Sequence, residues 1–214
     1  MFKLKNSLIA SGGLLVLIGV MTLATPTTVR AQGPSIQPPL GDVAFEIVGQ
    51  VRNPTMATSN QYGYLSSING FSFDQIFSSS PHNESQALFT FFTEAENTQV
   101  INNGNLRVVN RTGTTTIYYD PTHGDFADAE TFRDGTPVLA MSLRQQVILD
   151  LVEGTFTATN VNTVTSEAPI FGVRLAKLGD QFRTSIVGRG NTTGTPAMFV
   201  IAGYTVAVDK ERPK

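Results

Sequence analysis

The densest group of chemically versatile side chains lies between Asp120 and Gly135, DPTHGDFADAETFRDG. It holds five acids, one of the two histidines and two glycines. Asp120, Asp125, Asp128 and Glu130, helped by backbone carbonyls, form the oxygen-rich set that a hard cation such as calcium requires on a flexible loop. The spacing departs from an EF-hand loop, in which acids occupy positions 1, 3 and 5 ahead of a glycine. His123, two residues before Asp125, has the type and neighbour of a general base steered by a carboxylate. Acid–base work needs a cavity, and a histidine in a PTHGD turn is expected to be exposed. The competing reading is a solvated connection between two strands. His82, in SSSPHNES, has no nucleophile elbow near it that would make a Ser-His-Asp arrangement.

A second candidate group is Arg144, Gln145 and Gln146, inside the apolar run PVLAMSLRQQVILDL. If this run is a strand, at least one of the three points inward, and a polar side chain inside a fold needs a partner or a ligand. Polar groups among Phe, Leu and Tyr are what a small-molecule site uses to orient its guest. The alternative places Arg144 on the outer face, opposite an acid of a neighbouring strand.

Composition closes several routes. The chain has no cysteine, which rules out disulfides, a thiolate nucleophile and Cys-ligated zinc, iron–sulfur or haem centres. Two histidines are too few for three-His metal sites. No cofactor is expected.

Residues 1–31 have the layout of a secretory signal peptide: Lys3 and Lys5, an apolar run from Leu8 to Leu23, and small residues at Thr28-Val-Arg-Ala31 before a cut after Ala31. An uncleaved anchor is the competing reading. Cleavage takes away three bases and no acid, so the formal charge moves from −2 to about −5. A mildly acidic, secreted or periplasmic protein results, with no basic block for nucleic acid and no integral membrane segment after cleavage.

The elements that must position these residues follow from alternation. Residues 32–41, QGPSIQPPLG, form a Pro-rich tether ahead of a single domain over 42–210. VAFEIVGQVR alternates as a half-buried strand, YGYLSSI follows, and FSFDQIF allows one helical turn. ALFTFFTEA is a strand, Asn103-Gly104 marks a hairpin, and TTTIYYD runs into the acidic stretch. PVLAMSLRQQVILDLVE fits both alternation and a four-residue helical spacing; GTFTATNVNTVT, a poor helix former, offers an antiparallel partner and favours strand. FGVRLAKL and QFRTSIVGR are expected to pair across Gly179-Asp180, and AMFVIAGYTVAV ends the fold.

The expected fold is all-β: a single antiparallel β-barrel of about 8–10 strands, with a β-sandwich as the alternative. Signal peptide, a single cysteine-free barrel, FRDGTPVLAMSLRQQVI and the late glycine-bearing SIVGRGNTTG together resemble the general plan of the allene oxide cyclase and dirigent barrels. That resemblance implies a cofactor-free cavity for a hydrophobic or aromatic small molecule, and possible cyclase or isomerase action. Two readings stand. One is a secreted ligand-binding barrel in which Arg144 to Gln146 orient the guest; the other is a non-enzymatic structural or surface interaction protein with a filled barrel. A lumen below about 100 Å³ excludes the first, because small-molecule sites run roughly 300 to 1,000 Å³. Phe89, Phe91 and Phe92 make both faces of one strand apolar, which also suits self-association. Asn83, Asn110 and Asn191 stand in Asn-x-Ser/Thr sequons.

Overall fold

The computed structural model describes residues 41–172, 174–178, 180–190 and 198–208. The expected signal peptide, nearly all of the Pro-rich tether and the Asn191 sequon lie outside them. Eight antiparallel strands close into one barrel in sequence order. They are β1 (Val43–Arg52), β2 (Thr58–Ile68), β3 (Phe89–Asn103), β4 (Leu106–Tyr119), β5 (Thr136–Asp150), β6 (Thr155–Glu167), β7 (Gln181–Gly190) and β8 (Met198–Val208). Closure is made by β1 against β8, from Val43↔Val206 to Arg52↔Met198. The barrel therefore has no open edge along its body, which is how an antiparallel sheet avoids unpaired backbone.

Alternation sets the two faces. Phe45, Ile47, Leu65, Phe91, Ile117, Met141 and Ile186 point into the lumen, together with a polar set that includes Gln61, Thr93, Thr115, Asn160, Asn162, Thr184 and Thr205. The ambiguous segment is strand β5, hydrogen-bonded to β4 and β6 along its length. The Asn103-Gly104 turn is present, with Gly104 at φ +59°, a conformation that suits glycine.

Among the described connections, one end of the barrel carries the tight turns and the other the long ones. At the long-connection end, FDQI forms the single helical turn α1 (Phe73–Ile76), and Ala129–Arg133 forms a short 3-10 helix. The strand expected over FGVRLAKL is instead a 3-10 helix at Leu175–Leu178, which reduces the count to eight. Three-residue spacing explains the difference: Leu175 and Leu178 eclipse in a 3-10 turn and both enter the main core.

The barrel exterior is covered on one side. Tyr62 and Phe92 face outward from β2 and β3 yet are buried, because Ala129 and Phe132 of the 120–135 connection pack over them. Phe132 lies 5.5 Å from Tyr62 and 4.9 Å from Phe126, ring centre to ring centre. That is the physical reason Phe91 and Phe92 are both apolar: one fills the lumen, the other receives a strap.

At the tight-turn end, β3 and β4 outrun their neighbour. The last partner of β3 in β2 is Glu96, opposite Thr58, whereas β3 stays paired with β4 up to Asn103↔Leu106. A bulge between Asn97 and Gln99 bends the projecting part. The inner face of this overhang is not covered by β2.

Candidate functional site

Gln145 is the inward member of the Arg144–Gln146 trio. It is 4 % exposed and occupies the lumen row between Leu143 and Val147. Arg144 and Gln146 are exposed on the outer wall. Gln146 Nε2 donates to Asn110 Oδ1 at 3.3 Å, and Arg144 makes no ion pair among the described residues. Of the expected guest-orienting trio, Gln145 alone faces the lumen.

Gln145 anchors a polar belt. Its Nε2 donates to Asn160 Oδ1 at 2.8 Å, and its Oε1 accepts from Gln61 Nε2 at 3.0 Å and from Arg111 Nη1 at 3.2 Å. Arg111 Nε donates to Asn97 Oδ1 at 2.9 Å. Thr93–Thr115 and Thr184–Thr205 hydroxyl pairs, each 2.9 Å, satisfy further lumen positions. Buried polar groups of this kind are tolerated because they bond to one another.

The lumen is packed. Two small cavities lie along it, of about 20 and about 50 Å³. The smaller lies among Phe45, Phe91, Met141 and the threonines; the larger lies toward the tight-turn end, between Gln61, Arg111, Gln145 and Phe156. Neither reaches the size at which a barrel interior holds an organic ligand.

Open space lies outside. A groove of about 680 Å³ sits at the tight-turn end, on the uncovered inner face of the β3–β4 overhang. Its floor is Val100, Val109 and Leu149; Asn97, Asn102, Arg107 and Arg111 line one side and Asn53 to Met56 of the β1–β2 turn face them. Arg107 Nε donates to Asn102 Oδ1 at 3.0 Å. Burial pushes Arg111 down to about 10, with no acid compensating. Asn53 Oδ1 is buried without a hydrogen-bond partner among the described residues. A second concavity, of about 710 Å³, lies on the outer wall of β5 to β8 among Ile148, Val187, Val200 and Ala202, with Asp150 and Arg189 beside them.

The acidic stretch is built differently from a cation site. Asp120 is 1 % exposed, and its Oδ1 accepts from the Thr122 amide and hydroxyl at 2.9 and 2.6 Å. Asp125 Oδ1 accepts from the Ala127 amide, Asp128 Oδ1 caps Glu130 N, and Glu130 pairs with Arg133. No group of three or more acids or histidines that could hold a metal occurs among the described residues. The acids shape turns, and Phe126 and Phe132 between them fasten the stretch to the barrel.

His123 is a brace. It sits at φ +68°, its Nδ1 is 3.0 Å from the Ala87 carbonyl, and its Nε2 is 3.3 Å from Ser78 Oγ. The ring ties the 78–88 connection to the acidic stretch, and none of the described concavities opens beside it. His82 stacks on Phe73 and Phe77, at 5.0 and 4.8 Å.

Sequence reasoning missed Arg111. Counting back by twos from the apolar Ile117 puts Thr115, Gly113 and Arg111 on the inner face, and that count was the available signal. Val108 and Val109, adjacent and both apolar, hid it. No family model matches the chain, and neither the curated proteins nor the solved structures contain a match to it.

Proposed function

We propose that this protein is a non-enzymatic interaction barrel of the extracytoplasmic space, a filled scaffold that works through its outer wall. The observation that carries this reading is the packed lumen, whose voids of about 20 and about 50 Å³ leave no room for a substrate. The signal-peptide pattern of residues 1–31 supports the compartment. The recognition surface is the apolar concavity on β5 to β8, where Val187 and Val200 are 62 % and 53 % exposed. Its occupant is a second copy of this chain: Asp150 and Arg189 stand beside the same patch, so a two-fold pairing sets acid against base across an apolar centre.

The test is sedimentation of the mature chain across a concentration series. Wild type forms a dimer whose population rises with concentration, and the Val187→Lys/Val200→Lys double variant stays monomeric with an unchanged circular dichroism spectrum. A wild type that remains monomeric at high micromolar concentration overturns the reading. The alternative, a cofactor-free cyclase or isomerase on the plan of the allene oxide cyclase and dirigent barrels, draws support from the closed eight-stranded barrel. It lacks an internal chamber of the required size.

A further inference from the structure

The inner face of the β3–β4 overhang carries one arrangement twice. Arg107, Val109 and Arg111 alternate along β4 and so share that face. Across the ladder their partners in β3 are Asn102, Val100 and Asn97. Each arginine is tied to the asparagine opposite it: Arg111 Nε donates to Asn97 Oδ1 at 2.9 Å, and Arg107 Nε to Asn102 Oδ1 at 3.0 Å. A valine pair stands between the two units.

The β3 bulge makes the match. Continued without it, the register set by Asn97↔Arg111 would put Gln99 opposite Val109 and Ile101 opposite Arg107. The unpaired Thr98 instead brings valine to valine and a second asparagine to the second arginine. Bulges re-aim side chains in this way.

Both arginines line the groove, whose walls hold no acid and no aromatic ring. Neither forms an ion pair among the described residues. Neutral amides hold the two Nε atoms, and Arg111 adds one bond from Nη1 to Gln145 Oε1 at 3.2 Å. Both Nη2 groups, part of the fork that grips a carboxylate, are left without a protein acceptor among the described residues. Four residues along a strand span roughly 13 Å. Two oriented cations are thus set apart along an aliphatic floor of Val100, Val109 and Leu149.

We propose that this groove binds an aliphatic dicarboxylate, with one carboxylate on each arginine and the methylene chain along Val100, Val109 and Leu149. Arg111 takes the first carboxylate, because it reaches inward to Gln145 and the inner cavity, where less water competes for it. Arg107 holds the second, nearer the hairpin. A spacer of about six methylenes bridges most of the distance, and the two ion pairs, with N···O contacts of about 2.8 Å, cover the rest. The groove volume of about 680 Å³ falls within the range of small-molecule sites. No bond is made or broken, and the site is independent of any pairing through the outer wall of β5 to β8.

Calorimetric titration of the mature chain with suberate, octanoate, succinate and 1,8-octanediol at low salt tests this. Suberate binds saturably. Octanoate, with the same chain and one carboxylate, binds about 10-fold or more weakly, the worth of one charge-assisted pair. Succinate, too short to reach both arginines, binds no more tightly than octanoate, and the uncharged diol shows no binding. Arg107→Met brings suberate down to the affinity of octanoate and leaves octanoate unchanged. Arg111→Met abolishes binding of octanoate. Gln146→Ala, on the outer wall, changes nothing.

Equal affinity of the wild type for suberate and octanoate overturns the proposal, as does a suberate preference that survives Arg107→Met. Succinate binding as tightly as suberate overturns it too, since that is attraction to charge without a spanned site. So does absence of binding by all four probes at millimolar concentration. Should Arg107→Met fail to fold, the wild-type ranking of suberate over octanoate and succinate decides by itself. The titration is repeated on the Val187→Lys/Val200→Lys variant. Binding there is unchanged, which separates the fate of this site from that of the outer-wall interface.

Discussion

Arg111 shows how one side chain carries both a cost and a use. Its charged form is held in a partly desolvated position by neutral oxygens alone, which is why its pKa falls to about 10. A base whose folded pKa lies below its unfolded value destabilises the fold while it is protonated. At neutral pH Arg111 is protonated in both states, so the whole penalty is present; relief begins only as pH rises through about 10. Removing the charge while keeping the aliphatic stem therefore helps the fold. Arg111→Met is expected to gain on the order of 1 kcal/mol, a modest figure because the group is partly exposed and surrenders two hydrogen bonds. Urea denaturation at neutral pH measures it as a higher midpoint with an unchanged slope. A loss of about 2 kcal/mol or more would instead make the guanidinium a structural tie between Asn97 and Gln145. Gln145 contrasts with it: the amide carries no charge, and its value lies in satisfying Gln61, Asn160 and Arg111 inside the barrel.

Among the elements, the 120–135 strap contributes most to the barrel from outside it. Phe132 is fully buried against Tyr62, Phe92 and Phe126, and a Cβ on Gly124 would come within 2.4 Å of its ring, so the turn closes directly over the aromatic face. Phe132→Ala is expected to cost about 3 to 5 kcal/mol, the range for a large aromatic removed from a packed site. Thermal melts read it as a large fall in Tm, and a change below about 1 kcal/mol would mean that the strap is only loosely attached. The strands themselves were legible in the sequence. VAFEIVGQVR and LAMSLRQQVIL state a period of two, ALFTFF is rich in strand formers, Asn103-Gly104 marks a hairpin, and an all-antiparallel chain of that length has few ways to hide its edges. Three things were not legible. Leu175 and Leu178 fit a strand and a 3-10 turn about equally over so short a run. The strap reads as solvated acid in the sequence, because no spacing there shows that Phe126 and Phe132 point the same way. The Arg111 groove depends on strand lengths, since it exists only because β2 stops opposite Glu96 while β3 continues past a bulge.

At the scale of the whole molecule, closure and overhang divide the stability unevenly. Within the barrel body every strand has two hydrogen-bonded neighbours, and its inward side chains share the lumen core. Opening any one strand there breaks two ladders and exposes Phe45, Phe91 or Met141, so these amides should exchange only through global unfolding. The projecting part of β3 beyond its bulge, Gln99–Asn103, pairs with β4 alone and is exposed, with Val100 and Ile101 at 48 % and 45 %. It can open without disturbing the core. Native-state hydrogen exchange is therefore expected to split β3 near its bulge. Amides bonded to β4 before Glu96 should have opening free energies close to the global value, and those after Asn97 should lie several kcal/mol lower, as is usual for local openings. Uniform protection along β3 would contradict this division.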